Sequence, residues 1–378
     1  MKNLLCLVPR RRLATALLSA ILAASAASSF AAPTDTTSPL HLNGNENLFG
    51  FSPRVQAAVT KAIESGNFYN RNDVDDLIKL LADKEGVGKD YIMPTHGSGP
   101  ILLMTAAAYS KPGVNVVTAS PGYPQLTGAF QKWGGTIKYV PVAANLGYDF
   151  KAMARAIDAN TAIVYICNPN NPTGVLADPA EMRNFIITVP ANVLVFVDEA
   201  YLELANTALE KNSMAPLVKV RKNLIVSRTF SKGYALAGFR VGYGTANPEV
   251  LANLKKYDMG AAPSFLAAIA AEAAVKDQEY LQANIKKYRE VRAYVMKEFD
   301  RLGLKHSDAQ GAFVIFKTGI DGAEFRQKML EKKIQVNTVF GVGPQQEAEY
   351  KDWVRVSIGT KEDMDLFIGA TMSILGKT

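Results

Sequence analysis

The sequence predicts an α/β fold, with a large domain built on a mostly parallel β-sheet flanked by helices and a smaller α+β domain at the C-terminus. The chain has 378 residues, of which 48% are hydrophobic, and this is sufficient for two cores. Short β-branched runs alternate with helical stretches, such as 178–188, in the first part of the chain, as in α/β domains. From about residue 264 this alternation stops.

Five runs are the predicted strands of the large domain: VNVVTAS (114–120), AIVYICNP (162–169), VLVFVDEAY (193–201), NLIVSRTF (223–230) and RVGYGTA (240–246). These runs are apolar on both faces, as expected of parallel strands that are covered by helices on both sides.

The C-terminal part begins with one long helical pattern that starts at Ser264. The strand-like runs AFVIFKT, IQVNTV and WVRVSIGT follow, with a helix predicted near 322–333. We therefore divide the chain into a leader (1–32), an N-terminal arm (33–60), a large domain (61–263) and a small C-terminal domain (264–378).

The first 32 residues have the pattern of a secretory signal peptide. Arg10, Arg11 and Arg12 precede the apolar stretch LATALLSAILAASAA, and Ser29 and Ala31 fit a small-x-small cleavage site. The stretch is short and alanine-rich for a membrane span, although an uncleaved anchor is the alternative. The arginines are compatible with the twin-arginine route. The sequence thus predicts export, with a periplasmic location.

Composition excludes several classes of function. The formal net charge is +7, but the chain has no basic stripe with interleaved aromatic residues, so we expect no nucleic-acid partner. A modest positive charge suits anionic small substrates.

The cysteines are Cys6, in the leader, and Cys167, so the mature chain would carry one thiol and no internal disulfide. The three histidines lack spacings such as H-E-x-x-H, and we expect no metal.

Polar residues follow three consecutive predicted strands. Asn168 begins the segment NPNNPTG, Asp198 and Tyr201 lie in the segment VDEAY, and Lys232 follows SRTFS. Taken singly, these residues could belong to a turn or cap a helix. Ligands of open α/β sheets bind at the carboxyl ends of the strands, so together they predict a binding site at this edge.

A phosphate site is predicted ahead of a helix near residue 100. Gly97, Ser98 and Gly99 precede Pro100, a residue that suits the first helical position. Free N–H groups and the dipole at a helix start favour an anion, although an ordinary capped helix is the alternative. A lysine for an aldehyde, an aspartate for a pyridinium nitrogen and a phosphate site together match pyridoxal 5′-phosphate (PLP).

The motifs NPNNPTG, VDEAY and RTFSKGYALAGFRVGY, in this order, resemble those of fold-type I PLP enzymes of the class I/II aminotransferase family, in particular its histidinol-phosphate aminotransferase-like branch. The resemblance extends from LNGNENLFGFSP (42–53) to WVRVSIGT (353–360). It implies the PLP-dependent transferase fold and a homodimer with shared active sites.

The resemblance assigns residues to the cofactor ring. Lys232 matches the catalytic lysine, which forms a Schiff base with PLP and moves a proton between the substrate α-carbon and the cofactor. Asp198 matches the partner of the pyridine nitrogen. Asn171 and Tyr201 match the donors to the ring O3′ oxygen, and Tyr123 matches the aromatic residue that stacks on the ring.

It also assigns a phosphate site. Ser98 and Gly99 match the backbone cradle of the cofactor phosphate. Thr229, Ser231 and Arg240 match its side-chain ligands, with Arg240 supplying charge-assisted hydrogen bonds.

The remaining assignments concern the substrate and the second subunit. Arg355 matches the arginine that binds the substrate carboxylate, Asn45 lines the substrate pocket, and Asn337 is a substrate-binding position. Tyr69 matches a tyrosine that reaches the phosphate from the neighbouring subunit. The alternatives are a packed aromatic at Tyr69, a surface cation at Arg355, and a racemisation acid at Tyr123. His96 is expected to be structural.

The chain departs from the family pattern in three places. Gly99-Pro100 replaces an acidic pair in the cradle, residues 70–72 replace a Tyr-Pro-Asp, and Asn337 stands where histidinol-phosphate enzymes tend to carry an arginine. Because that arginine helps to hold the substrate phosphate, its absence argues against a phosphorylated substrate. The predicted export argues in the same direction.

These observations predict an exported PLP-dependent aminotransferase that moves the amino group of a free amino acid to a 2-oxo acid. The main alternative is an amino-acid racemase on the same fold, which would need a second acid or a flexible lysine. A decarboxylase and a PLP-binding regulator without turnover are further alternatives, but relatives of the latter type carry a DNA-binding domain where this chain has its leader.

Overall fold

The structure is a computed structural model that describes residues 39–69 and 72–377, without the side chains of residues 72 and 73. The predicted leader and residues 70 and 71 lie outside the described residues. Within them, no helix combines the length and apolarity that crossing a bilayer requires.

The described residues form the following strands: β1 (Leu40–His41), β2 (Ile92–Thr95), β3 (Asn115–Ser120), β4 (Thr136–Pro141), β5 (Thr161–Cys167), β6 (Leu194–Asp198), β7 (Leu224–Thr229), β8 (Gly242–Ala246), β9 (Phe313–Lys317), β10 (Ile334–Gln335), β11 (Asn337–Thr338) and β12 (Trp353–Ser357). The α-helices are α1 (Pro53–Ala62), α2 (Asn72–Glu85), α3 (Gly99–Tyr109), α4 (Gln125–Lys132), α5 (Phe150–Ala156), α6 (Pro179–Thr188), α7 (Leu209–Asn212), α8 (Pro248–Lys255), α9 (Phe265–Val275), α10 (Gln278–Arg301), α11 (Gly322–Glu331) and α12 (Lys361–Leu375).

A seven-stranded sheet organises the larger part of the fold, in the order β2-β8-β7-β6-β5-β3-β4. The pairs from β4 to β7 are parallel, whereas β8 is antiparallel to both of its neighbours. The expectation that the run 240–246 is a parallel strand is therefore wrong. Burial on both faces gives the same apolar pattern whichever way a strand runs, so the sequence carries no signal for this reversal.

Helices cover both faces of this sheet, and the side chains of its central strands alternate between two cores. Ile163 and Tyr165 of β5 belong to one apolar cluster, and Val164 and Ile166 belong to a second cluster on the opposite face. All four side chains are at most 1% exposed. The two-residue period of a strand thus explains why these runs have no polar face.

The C-terminal part contains the antiparallel sheet β11-β12-β9. The long helical pattern from Ser264 forms two helices, α9 and α10, with a break between them. Asp277 caps α10 by accepting a hydrogen bond from the Tyr280 N–H at 3.4 Å. The Asp277 carboxylate also accepts a hydrogen bond from the Ser52 hydroxyl, a contact between distant segments that the local sequence does not reveal.

The N-terminal arm is attached to the C-terminal part of the chain. Strand β1 pairs with β10 in parallel, and Leu42 N–H donates to the Gln335 carbonyl at 2.9 Å. Residues 43–47, which directly follow β1, are thereby fixed beside β12, whose Ser357 N–H donates to the Leu42 carbonyl at 2.9 Å. The domain boundaries given by the sequence stay a prediction.

Candidate active site

The carboxyl ends of β5, β6 and β7 lie side by side, and they carry the polar segments singled out in the sequence. Asp198 is the register partner of Cys167 on one side and of Ser227 on the other. Asn168 N–H donates to the Asp198 carbonyl at 2.8 Å. Since parallel strands end at the same edge of a sheet, the three segments form one continuous rim.

Asp198 is a buried carboxylate, 2% exposed, that forms no ion pair among the described residues. Its oxygens accept hydrogen bonds from Ser227 Oγ and the Ala200 N–H, both at 3.2 Å, and from the Tyr165 hydroxyl at 3.5 Å. Burial raises the pKa of Asp198 to about 6. A buried carboxylate is costly without a cationic partner, and a protonated pyridine nitrogen is a group that would compensate it.

Tyr201 is held by two amides. Its hydroxyl oxygen accepts hydrogen bonds from Asn45 Nδ2 at 3.0 Å and from Asn171 Nδ2 at 3.3 Å. Burial raises the pKa of Tyr201, although the charge of Arg355 and the hydrogen bond from Asn45 oppose that shift. The phenol therefore stays protonated and can donate its hydrogen to an oxygen such as the O3′ of PLP.

Lys232 projects towards the N-terminal arm. Its Nζ donates to the carbonyls of Asn45 at 2.8 Å and Gly44 at 3.2 Å, and it lies 5.7 Å from the centroid of the Tyr201 ring. Burial lowers the pKa of Lys232 to about 8, and the positive charges of Arg355 and Arg240 act in the same direction. A substantial fraction of this amine is therefore neutral near physiological pH, as a nucleophile or proton acceptor requires.

The predicted phosphate cradle is tightly packed around glycine. Gly97 has φ +80°, and a Cβ at this position would lie 2.6 Å from Arg240 Nη2. A Cβ on Gly242 of β8 would lie 2.6 Å from the Ser98 backbone nitrogen. Only glycine allows these approaches, which bring the start of α3 against the guanidinium of Arg240.

Hydroxyl groups complete this cradle. Arg240 Nη1 donates to Ser231 Oγ at 3.2 Å, and Thr229 Oγ1 donates to Ser231 Oγ at 3.0 Å. Gly99 is the first residue of α3, where helix N–H groups have no intrahelical acceptor. Backbone donors, two hydroxyls and one guanidinium fit a phosphate monoester.

Tyr123 lies in the turn after β3. Its hydroxyl donates to Gln125 Oε1 at 3.0 Å. Burial raises the pKa of Tyr123 to about 12, and the charge of Asp198 acts in the same direction. Tyr123 packs against the apolar cluster that contains Tyr165 and Cys167, and its stacking on the cofactor ring stays a prediction.

Arg355 is buried, with 4% of the residue exposed, so the alternative of a surface cation is wrong. Its Nη1 donates to Asn171 Oδ1 at 2.9 Å and its Nη2 to the Asn43 carbonyl at 2.7 Å, while its buried Nε has no hydrogen-bond partner. The guanidinium carbon lies 5.2 Å from the centroid of the Phe313 ring and 4.8 Å from that of Phe340. Such a guanidinium has donors left for a carboxylate.

The other three predicted positions differ in their surroundings. Asn337 pairs with Arg355 in the β11–β12 register, and its Nδ2 donates to the Asn43 carbonyl at 2.8 Å. Tyr69 is fully exposed, so it is not a packed aromatic of its own chain; its role towards a second subunit stays a prediction. His96 has Nδ1 3.1 Å from the Ala261 carbonyl, which agrees with a structural role.

Several contributors were not identified from the sequence. Ser357 Oγ donates to Asn45 Oδ1 at 2.7 Å and accepts from the Asn45 N–H at 2.9 Å, which holds Asn45 at φ +54°. Strand alternation could have indicated Ser357, because it shares a face of β12 with Arg355. Tyr165 and Ser227 were predictable only as strand residues, and Phe340 lies in a loop without a local signal.

Behind the rim, a buried ion pair joins the residue directly after β6 to β7. Arg228 Nη2 lies 2.9 Å from Glu199 Oε2, and Arg228 Nη1 lies 3.4 Å from Glu85 Oε1. Because successive side chains of a strand point to opposite faces, Glu199 and Arg228 stabilise the strand ends from behind while Asp198 and Thr229 face the site.

Comparisons with known proteins show similarity over most of the chain. The family model "Aminotransferase class I and II" matches residues 37–370. The chain is 36% identical over 338 residues to a histidinol-phosphate aminotransferase of Moorella thermoacetica, covering 89% of this chain and 85% of the relative. It is 34% identical over 340 residues to histidinol-phosphate aminotransferase 2 of Carboxydothermus hydrogenoformans, covering 88% and 90%.

An example among the similar solved structures has pyridoxal-5′-phosphate bound. It is the histidinol-phosphate aminotransferase of Sinorhizobium meliloti in complex with pyridoxal-5′-phosphate, with a TM-score of 0.82 and 26% identity. The alignment covers 90% of this chain and 91% of that chain.

Proposed function

The chain belongs to the family of class I and II aminotransferases and is a PLP-dependent enzyme of fold type I; from this premise we propose that it transfers the amino group of a free amino acid to a 2-oxo acid. When bound, PLP supplies an electron sink that makes the α-proton of the substrate acidic. The protein supplies the orientation, the electrostatics and the proton acceptor.

Asp198 and Lys232 have complementary tasks in this proposal. Asp198, with a pKa of about 6, is ionised at neutral pH and holds the proton on the pyridine nitrogen. Lys232, with a pKa of about 8, is partly neutral and takes the proton from the substrate α-carbon. Tyr201 donates to the ring oxygen, with its own oxygen fixed by Asn45 and Asn171.

The observation that carries the proposal is the buried guanidinium of Arg355. Its Nε lacks a partner, and two aromatic rings flank it. Because burial lowers the pKa of Arg355, its cationic form gains from an anion that enters the pocket. A carboxylate on the substrate α-carbon, as in amino acids and 2-oxo acids, fits this requirement.

A second candidate is that histidinol phosphate is the amino donor, as the names of the relatives suggest for those proteins. It is less favoured because Asn337 offers a neutral amide that already donates to Asn43. A phosphate that carries nearly two negative charges would gain little from that group.

We also propose that the enzyme is exported and works as a homodimer. The leader pattern supports export. The fully exposed ring of Tyr69 supports a second subunit that covers it, because large aromatic side chains are enriched at interfaces. Cell fractionation with N-terminal sequencing tests export: a periplasmic protein that starts near residue 33 would support it, whereas an intact cytoplasmic chain would contradict it. Light scattering tests the dimer.

The decisive experiment offers single L-amino acids and, separately, histidinol phosphate to the purified holoenzyme without a 2-oxo acid. One equivalent of 2-oxo acid per site, with a spectral change of the cofactor, would support the proposal. Reaction with histidinol phosphate alone would establish the second candidate. Many turnovers to the D-enantiomer on chiral chromatography would establish a racemase instead.

Arg355→Lys and Arg326→Lys form a matched pair for this experiment. The first changes the buried guanidinium, and the second changes an exposed arginine on α11. We expect KM for the amino acid to rise only in Arg355→Lys, because an ammonium cannot reproduce the fork of donors.

A further inference from the structure

Phe340 lies beside Arg355, and the assigned chemistry does not use it. Its ring centroid lies 4.8 Å from the guanidinium carbon of Arg355, closer than that of Phe313 at 5.2 Å. Phe313 is fully buried, whereas Phe340 is half-buried. The Phe340 ring therefore lies against the group that is proposed to bind the substrate carboxylate, and part of its surface stays exposed.

The position of Phe340 is fixed by its neighbours in the chain. Gly122 N–H donates to the Gly341 carbonyl at 3.0 Å, and Gly343 N–H donates to Ser120 Oγ at 2.8 Å. Gly341 has φ +67°, and a Cβ on it would lie 1.7 Å from the Gly122 carbonyl oxygen. The segment that carries Phe340 is thus tied by hydrogen bonds to the turn that carries Tyr123.

The charged groups that act on the reactive lysine limit which charge a substrate side chain can have. The cations that influence Lys232 are Arg355 and Arg240, and the same two influence Tyr123. Arg240 belongs to the phosphate cradle and Arg355 to the carboxylate site. Opposite Arg355 in the register stands neutral Asn337, and the carboxylate of Glu46, an exposed residue, raises the pKa of Lys232.

We propose that Phe340 is a specificity-determining residue that selects amino acids with an uncharged, apolar side chain and disfavours those with a second anionic group. The assignment rests on the proposed function, because it requires an amino-acid substrate at Arg355. An apolar side chain gains contact with the exposed part of the Phe340 ring. A second anion beside Phe340 would face neutral Asn337 instead of a cation and would be desolvated without a partner, which is costly.

The test compares leucine and phenylalanine with aspartate and glutamate as donors for the holoenzyme, by kcat/KM of the half-reaction. We expect the wild type to prefer the apolar donors by about tenfold or more, the discrimination that one or two methylene contacts provide. Phe340→Ala lowers kcat/KM for the apolar donors about tenfold and leaves the acidic donors within about twofold. Trp133→Ala, at an aromatic that is 56% exposed elsewhere on the surface, leaves both unchanged.

Two further variants keep the proposal testable if Phe340→Ala folds poorly. Phe340→Leu retains bulk and shifts preference from phenylalanine to leucine. Asn337→Arg supplies the cation opposite Arg355 and raises kcat/KM for aspartate and glutamate relative to leucine. Equal use of acidic and apolar donors by the wild type, or an equal loss for all donors in both Phe340 variants, would overturn this assignment alone. Reaction with histidinol phosphate and with no amino acid would overturn the proposed function together with it.

Discussion

Replacing Asp198 by asparagine is expected to stabilise the PLP-free protein while weakening its binding of PLP. The carboxylate is 2% exposed and accepts hydrogen bonds from Ser227, Ala200 and Tyr165, but no described cation pairs with it. An asparagine side chain at this position would keep the shape and one acceptor oxygen, and it would remove the buried charge. The same change removes the negative partner of the pyridine nitrogen in the holoenzyme.

The magnitude follows from the pKa of Asp198, which burial raises from 3.8 to about 6. A shift of about 2 units corresponds to about 3 kcal/mol. The folded PLP-free protein binds this proton more tightly than the unfolded chain, so its stability falls as the pH rises from about 4 through about 6. Above that range the ionised carboxylate lowers the free energy of unfolding by the full amount of about 3 kcal/mol, and roughly half of this loss develops between pH 5 and pH 8.

The assay is urea denaturation of PLP-free wild type and Asp198→Asn at about pH 5 and about pH 8, at one protomer concentration because the proposed dimer would couple association to folding. The variant should gain stability relative to the wild type, and the gain should be larger by about 1.4 kcal/mol at the higher pH. Titration with PLP should show a Kd increased by about a hundredfold, since breaking a buried charge pair costs about 3 kcal/mol or more.

Asp75→Asn is the matched control, because Asp75 lies exposed on α2 and its replacement should leave both stability and PLP affinity unchanged. A stability difference between Asp198→Asn and the wild type that is independent of pH would refute the reasoning about burial. Unchanged PLP affinity would refute the assignment of Asp198 to the pyridine nitrogen.

Three further predictions concern other parts of the site. Lys232→Ala should abolish turnover and let PLP be lost on dialysis. The wild-type half-reaction rate should rise with pH and level off above about 8, because only the neutral amine of Lys232 accepts a proton. A pH-independent rate would contradict this role. Arg355→Gln should lower kcat/KM for amino acids by about a hundredfold with PLP affinity retained, since it removes a charge-assisted pair; a parallel loss of PLP binding would argue for a structural effect. Gly341→Ala should lower the free energy of unfolding by about 2 kcal/mol or more, because its Cβ would lie 1.7 Å from the Gly122 oxygen at a positive φ; an unchanged urea midpoint would show that the two loops are not rigidly joined.

Much of the site could be predicted, because its residues follow strands that can be recognised from their own stretches of sequence. Asn171, Asp198 and Lys232 each lie at or shortly beyond the carboxyl end of a β-branched run, and parallel strands bring such ends to one edge. Ser98 and Gly99 were indicated by a glycine-rich turn before a helix start. These signals depend on residue spacing and backbone geometry, which neighbouring residues decide.

Other features depended on contacts between distant segments. Strand β8 runs against its neighbours although it is as fully buried as the adjacent β7. The break between α9 and α10 is fixed by Asp277, which accepts from Ser52, 225 residues away. Helix α12 and strands β2 and β4 were not predicted at all, since their patterns lack the clear apolar runs on which the strand assignments depended.

The sequence by itself determined the chemistry of this protein: the lysine, the aspartate and the phosphate cradle, in an order and spacing that few other cofactors would require. The tertiary structure decided how these groups are tuned. Burial shifts the pKa of Lys232 and of Asp198 towards neutrality, and Phe340 reaches Arg355 from a separate loop. Desolvation and packing are sums over atoms from the whole chain, so no single stretch of sequence contains them.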